Sequence, residues 1–215
     1  MKPIFISGIG TGIGKTLVAA LITQLLKADY WKPVQAGFDD GTDSLWVASM
    51  VSNPDTFIHP EIYKLQLAAS PHIAAKKENI RIEISKIVRE FKKMNSERAL
   101  VIEGAGGLMV PLNEKDFVID LVKALDARLV LVSRNYLGSI NHSLMTASLS
   151  QTYGLDVAGW VFNDQYMSYE KEIAGWSGYP VLFSLPFLDS VTKETITGLA
   201  RNISPGGMDY LYQSL

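Results

Sequence analysis

Ile4-Phe5-Ile6-Ser7-Gly8-Ile9-Gly10-Thr11-Gly12-Ile13-Gly14-Lys15-Thr16, followed by the apolar run Leu17 to Leu26, sets an apolar strand, a glycine-rich turn and a helix in succession. Glycines let successive backbone N–H groups turn inward on an anion, and a helix beginning at Lys15 adds the positive end of its dipole. Lys15 supplies a charge for the outer phosphates, and the Thr16 hydroxyl reaches a magnesium ion. The stretch therefore predicts a cradle for a nucleoside triphosphate. Gly8 lies six positions before Gly14, where the usual spacing is five, so the loop is one residue longer than the common form. A dinucleotide fingerprint starting at Gly8 would need glycine in place of Ile13, which disfavours a nicotinamide or flavin site. The bland alternative is a glycine-rich strand-to-helix connection that holds no ligand.

The same alternation continues along the chain. Apolar, β-branched runs recur at Tyr30 to Val34, Ala99 to Ile102, Leu129 to Val132, Val157 to Phe162 and Val181 to Leu185. Helical spacing is expected over Lys15 to Ala28, Asp43 to Val51, Ile82 to Met94, Phe117 to Ala124, Ser139 to Tyr153 and Ser168 to Ala174. Strands apolar on both faces belong to a mostly parallel sheet covered by helices on each side, a three-layer α/β fold whose ligands bind along the edge of strand C-termini. The 215 residues fit a single domain spanning 1–215. The least regular segment, Ser52 to Lys77 with Pro54, Pro60 and Pro71, is expected to be a lid, a substrate wall or a plain surface loop.

Composition narrows the partners. Lys plus Arg total 20 against 22 Asp plus Glu, and a net charge of -2 leaves no basic footprint for nucleic acid and no polybasic membrane patch. There are no cysteines, which excludes disulfides, thiolate metal sites and a cysteine nucleophile. Lys2 and Pro3 lead straight into a core strand, and the run Leu17 to Leu26, interrupted by Thr23 and Gln24, is too short and polar to span a bilayer. A small-molecule partner and cytoplasmic residence are the expectations.

Other groups are expected at the phosphate edge. Glu103, at the end of a strand and ahead of Gly104-Ala105-Gly106-Gly107, suits a magnesium ligand, or else is a solvated acid in a strand-terminal turn. Lys32 interrupts an apolar run, so its ammonium needs an anion or snorkels to solvent. Asp43 is placed to start a helix and serves there as an N-cap at the least.

Taken together, the phosphate loop, Lys32-Pro33-Val34, Thr42-Asp43, Ser70-Pro71-His72, Glu103 to Gly107, Leu137-Gly138-Ser139-Ile140-Asn141-His142, Gly159 to Asp164 and Leu185 to Leu188 strongly resemble the dethiobiotin synthetase family, within the P-loop NTPase superfamily. The resemblance spans nearly the whole chain. It implies an ATP- and Mg2+-dependent cyclo-ligase of biotin biosynthesis, which joins 7,8-diaminononanoate and CO2 through a carbamate and a carbamic-phosphoric anhydride, releasing ADP and phosphate.

Carried over by position, the resemblance gives the triphosphate to Gly12, Ile13, Gly14, Lys15, Thr16 and Leu17, and magnesium to Thr16, Asp43 and Glu103. Lys32 becomes the catalytic lysine, assisted by Lys15. Gly104, Ala105 and Gly106 complete a nucleotide contact; Asn163 and Asp164 read the adenine edge, with Pro186, Phe187 and Leu188 flanking the base. Thr11, Ala36, Gly106 and Gly107 face the diamine, while Gly138, Ser139 and Asn141 come from the neighbouring subunit of a homodimer. Where the family commonly has Ser or Thr, this chain has Ala36, so one hydroxyl contact is missing; Arg134, Asn135 and Tyr136 have no role implied. The lone histidines, His59, His72 and His142, are expected to be structural or wall residues.

Two other classes compete. A regulatory ATPase switch of the partition and septum-positioning type resembles the same sheet and loop, but such proteins usually carry a further lysine at the position of Gly10, and the tail Asp209 to Leu215 is too short and uncharged for their membrane helix. An amidating relative acting on corrinoid acids would need a cysteine nucleophile, which this chain lacks.

Overall fold

The computed structural model describes residues 2–94, 97–164, 166–203 and Leu211. In chain order the elements are β1 (Ile4–Gly8), α1 (Lys15–Leu26), β2 (Asp29–Trp31), β3 (Val34–Ala36), α2 (Asp43–Met50), β4 (Ile58–His59), β5 (Tyr63–Leu65), α3 (Pro71–Lys77), α4 (Ile84–Phe91), β6 (Leu100–Glu103), α5 (Val118–Ala124), β7 (Arg128–Arg134), α6 (Ser139–Thr152), β8 (Val157–Asn163), α7 (Glu170–Ser177), β9 (Val181–Leu185) and α8 (Lys193–Asn202). Seven strands form one sheet in the order β4-β2-β6-β1-β7-β8-β9, and every described pairing in it is parallel. A parallel sheet needs a crossover between neighbours, and the intervening helices supply it.

Side-chain alternation sorts the core into two layers. Ile4, Ile6, Tyr30, Val101 and Val132 share one apolar cluster with Val18, Leu21 and Ile22 of α1 and Ile196 of α8. Phe5, Trp31, Ile102, Leu131 and Phe162 share the other with Ile87 of α4, Leu121 of α5 and Ala147 of α6. Full burial of each large side chain stabilises the fold by about 1.5–3 kcal/mol. The three-layer expectation holds, with the central strands apolar on both faces.

The structure departs from the sequence reading in four places. The run Tyr30 to Val34 is two strands, because Pro33 has no N–H to donate; β2 stays in the main sheet and β3 leaves to pair with β5. The segment from Ser52 to Lys77 is more ordered than a loop: it contributes β4 to the sheet edge, β5 to the small sheet, and α3. Helix α8 is unannounced by its Thr- and Gly-containing sequence, although Thr192 caps it by accepting from Thr195 N at 3.2 Å. The helix expected at Ser168 to Ala174 lies at Glu170–Ser177. The tail Asp209 to Leu215, apart from Leu211, lies outside the described residues.

The topology places the site. Strands β1, β6, β2, β7, β8 and β9 all run the same way, so their C-terminal ends deliver the phosphate loop, Glu103, Lys32, Arg134, Asn163 and Pro186 to one edge of the sheet.

Candidate active site

The phosphate loop leaves β1 at Gly8, pinned by Ile9 N donating to Val132 O at 3.1 Å, and enters α1 through Gly14. Gly14 sits at φ 90, in the left-handed region, and a side chain there would also run into the Asn163 amide. That amide donates from Nδ2 to Ile13 O at 3.1 Å, so Asn163 at the end of β8 braces the loop from behind. Lys15 is folded back over its own loop, donating from Nζ to Gly10 O at 2.5 Å. It is 7% exposed. Burial, partly offset by Glu103 and reinforced by the nearby Lys32 charge, lowers its ammonium from 10.5 to about 8.

Lys32, Asp43 and Glu103 meet beside that loop. Glu103 is 1% exposed, which removes the solvated-turn reading. Its Oε1 accepts from Thr16 Oγ1 at 2.8 Å and from Lys32 Nζ at 3.0 Å, and its Oε2 accepts from Tyr30 Oη at 2.8 Å. Lys32 also pairs with Asp43 Oδ2. Snorkelling is therefore replaced by a buried bridge between two carboxylates. Burial pulls the Lys32 ammonium down, but Glu103 and Asp43 more than offset it, and the group rises above its ordinary value. Burial and Glu103 likewise push the Tyr30 hydroxyl well above its ordinary value, so it remains a donor.

Asp43 is free for this because the cap of α2 belongs to its neighbour: Thr42 Oγ1 accepts from Leu45 N at 3.2 Å. Gln35, buried, accepts from Asp43 N at 3.2 Å and donates to Gly37 O at 2.7 Å, tying the loop after β3 to the start of α2. Sequence reasoning missed Tyr30 and Gln35, since a tyrosine in an apolar strand looks like plain core.

A cleft of about 610 Å³ joins these groups: Lys15, Thr16, Lys32, Asp43 and Glu103 line it with Thr11, Gly12, Gly14, Ala36, Ala105 and Gly106. Its far wall is Ala68 to Pro71, from the segment expected as a lid or wall. Ile13 is buried, while Leu17 is half-buried and packs against the α1 layer. Gly107 approaches the phosphate loop so closely that a Cβ there would lie 3.0 Å from Gly8 O. Gly104 is tighter still, since a methyl at that position would lie 2.7 Å from Phe5 Cε1. Gly104→Ala is expected to cost about 1–3 kcal/mol of folding stability, read from chemical denaturation midpoints.

A second cavity of about 550 Å³ lies past β7 and β8, lined by Arg134, Asn135, Tyr136, Asp164, Tyr166 and Phe187. Arg134 Nη2 lies 3.4 Å from Asp164 Oδ2, Pro186 and Phe187 are exposed, and Leu188 is half-buried. Gly138, Ser139 and Asn141 stand apart from the Lys32 cleft. Gly138 is the left-handed N-cap of α6 and Asn141 is exposed, whereas the Ser139 hydroxyl is buried against Tyr169 Oη at 2.6 Å. The histidines lie outside the cluster: His72 Nδ1 pairs with Ser70 Oγ at 3.0 Å, His142 Nδ1 with Tyr136 Oη at 2.8 Å, and His59 Nε2 is 3.9 Å from Asp29.

Known proteins share this arrangement of chain and fold. Residues 2–195 match the family described as AAA domain. The ATP-dependent dethiobiotin synthetase BioD of Cytophaga hutchinsonii is 44% identical over 201 residues, covering 93% of this chain and 96% of that protein. The protein of the same name from Christiangramia forsetii is 45% identical over 173 residues, covering 80% and 81%. Among solved structures, the septum site-determining protein MinD complexed with Mg-ADP from Pyrococcus horikoshii superposes with a TM-score of 0.59 at 15% identity, over 98% of this chain and 93% of that one. That likeness establishes the fold alone.

Proposed function

We infer the activity from one premise: the chain belongs to the ATP-dependent dethiobiotin synthetases and, over residues 2–195, to the AAA-domain family. It is an ATP-dependent cyclo-ligase of biotin biosynthesis, acting on small molecules, and its close relatives favour this over a partition-type switch. The reading proposed for the site has the whole chain working as one domain in the cytoplasm, on 7,8-diaminononanoate, CO2 and ATP. Among the described residues no helix is long and apolar enough to cross a membrane. The observation that carries the reading is the buried Lys32 bridge to Asp43 and Glu103 at the wall of the phosphate-loop cleft.

In this reading the triphosphate lies along Gly12 to Leu17, and Gly104 to Gly106 close over it. The base runs toward Asn163, Asp164 and Pro186 to Leu188, where the second cavity opens. One amine of the diamine takes up CO2 as a carbamate, whose oxygen attacks the γ-phosphorus; the bond to the β–γ bridging oxygen breaks and ADP leaves. The second amine then attacks the carbamate carbon, phosphate departs and the cyclic urea closes. Lys32 neutralises the carbamate and the oxygens of the phosphoryl group whose phosphorus the carbamate attacks, and Lys15 turns from Gly10 O to the outer phosphates. Positioning between cleft walls does the remainder.

The donors fit a magnesium ion. Two carboxylates already bracket one cation, the Lys32 ammonium, and the Thr16 hydroxyl bonds to one of them, so three hard oxygen donors stand together at the cleft. Among the described residues no three His, Cys, Asp or Glu side chains cluster to make a complete protein cage, which suits an ion that keeps waters and phosphate oxygens. Thr16, Asp43 and Glu103 would hold it, and it would neutralise charge on the phosphoryl oxygens.

A homodimer is part of the same reading. Gly138 to Asn141 sit away from their own Lys32 cleft, beside an apolar groove of about 450 Å³ that includes Leu108, Met109, Met145 and Leu149. The Ser139 N–H is taken by Tyr136 O at 2.9 Å, so the N–H groups of Ile140 and Asn141 in the first turn of α6 would serve the partner's substrate carboxylate. Purified protein incubated with diamine, labelled bicarbonate, ATP and Mg2+ is expected to yield labelled cyclic urea by mass. ATP hydrolysis indifferent to the diamine would contradict the assignment. Glu103→Gln is expected to raise the Mg2+ concentration needed for half-maximal rate, and an unchanged titration would remove Glu103 from the metal set.

A further inference from the structure

Three donors hold Glu103, and they differ in what else they are able to do. Thr16 and Lys32, both on Oε1, line the cleft and are the groups a triphosphate and its cation would draw away. Tyr30, on Oε2, does not line that cleft. It is the middle residue of β2, fully buried in the layer under α1, and its neighbour in register on β6 is Val101, two residues before Glu103. A side chain so placed has no route to a ligand. Its hydrogen bond is the one that would stay if the other two donors turned to substrate.

We propose that Tyr30 is a positioning residue: its hydroxyl fixes the plane of the Glu103 carboxylate, so that Oε1 stays presented to the cleft for the divalent cation. This rests on the reading of Glu103 as a magnesium ligand. A carboxylate turns readily about its last bond, and one anchored oxygen restricts that turn without occupying the oxygen that faces the ligand. Groups that orient a metal ligand in this way commonly change metal affinity by about 10–100-fold when removed. The strand break at Pro33 serves the arrangement, because it lets Tyr30 stay in the main sheet while Lys32, two residues on, bends toward Asp43.

The test is a calorimetric titration of Mg2+ into protein saturated with the non-hydrolysable β,γ-imido analogue of ATP. Tyr30→Phe is expected to raise the Mg2+ half-saturation about tenfold, while binding of the analogue in EDTA stays as in the wild type. A lowered melting temperature with an unchanged Mg2+ titration would reduce Tyr30 to a core residue and overturn the proposal. Glu103→Gln serves as the reference. If it leaves the Mg2+ titration unchanged, the metal assignment fails and the proposal with it; if it shifts the titration and Tyr30→Phe does not, only the proposal fails. Should Tyr30→Phe not fold, the double variant with Glu103→Gln gives the same decision. Half-saturation equal to that of Glu103→Gln alone is expected, and a further rise would overturn the coupling.

Discussion

Lys32→Ala is expected to lower kcat by at least about a hundredfold, the loss commonly seen when one charge-stabilising contact to a developing oxyanion is removed. Binding of ATP itself should survive, because Lys15 and the phosphate loop remain. The structure adds a second effect. Glu103 is 1% exposed and ion-paired to Lys32, so removing the ammonium leaves a buried carboxylate uncompensated. Breaking one side of such a network costs about 3–5 kcal/mol. Lys32→Gln restores N–H donors without the charge and is expected to recover part of the stability but none of the turnover. Steady-state rates and urea midpoints on both variants check this; a Lys32→Gln enzyme with near-normal kcat would remove the charge from the mechanism. The pH sign follows from the raised Lys32 value: its contribution to stability is fully present below the unfolded value of 10.5 and is lost as pH climbs through the higher folded value. Lys32 therefore stays charged across the neutral range.

Lys15→Met should behave in the opposite sense, losing function while gaining stability. Its ammonium is lowered to about 8, so the folded, nucleotide-free protein binds fewer protons than the unfolded chain between about 8 and 10.5, and stability rises with pH across that window. At pH 7 the charged, buried group therefore costs the fold a few kcal/mol, because each tenfold loss of proton affinity is worth about 1.4 kcal/mol. Methionine, of similar length and uncharged, is expected to raise the melting temperature of the nucleotide-free protein. ATP affinity should fall about a hundredfold or more, since the lost partner is a charge on phosphate. In the wild type, ATP favours the protonated lysine, so its Kd is expected to weaken as pH rises above about 8, with proton uptake on binding near that pH. Calorimetry in two buffers of different ionisation heat detects the uptake. A pH-independent Kd between about 7 and 10 would place Lys15 away from the phosphates.

Much of this site is legible in the chain because several contributing residues lie at or just beyond the end of an apolar run. In a parallel sheet the ends of such runs fall on one edge, so Lys15, Thr16, Lys32 and Glu103 converge without any knowledge of strand order. Asp43 is different: its place depends on β3 leaving the sheet, which Pro33 permits and sequence periodicity does not reveal. The short strands β4 and β5 have two and three residues, too few to carry a period, and they exist only through pairing with β2 and β3. Tyr30 is invisible for another reason. Its ring satisfies the apolar pattern of β2, and only the parallel register against β6 brings its hydroxyl to Glu103. The role of Ser139 as a buried partner of Tyr169, from the start of α7, is likewise set by helix packing.

The Lys32 bridge also bears on the order in which ligands arrive. Two lysines face two carboxylates in the cleft, so its fixed charges cancel before any ligand enters. A bare divalent ion meets an ammonium already seated between its would-be ligands and gains little by displacing it. A triphosphate would bring the surplus negative charge that tips the balance, so a cation held by Asp43 and Glu103 would enter in company with the nucleotide and not ahead of it.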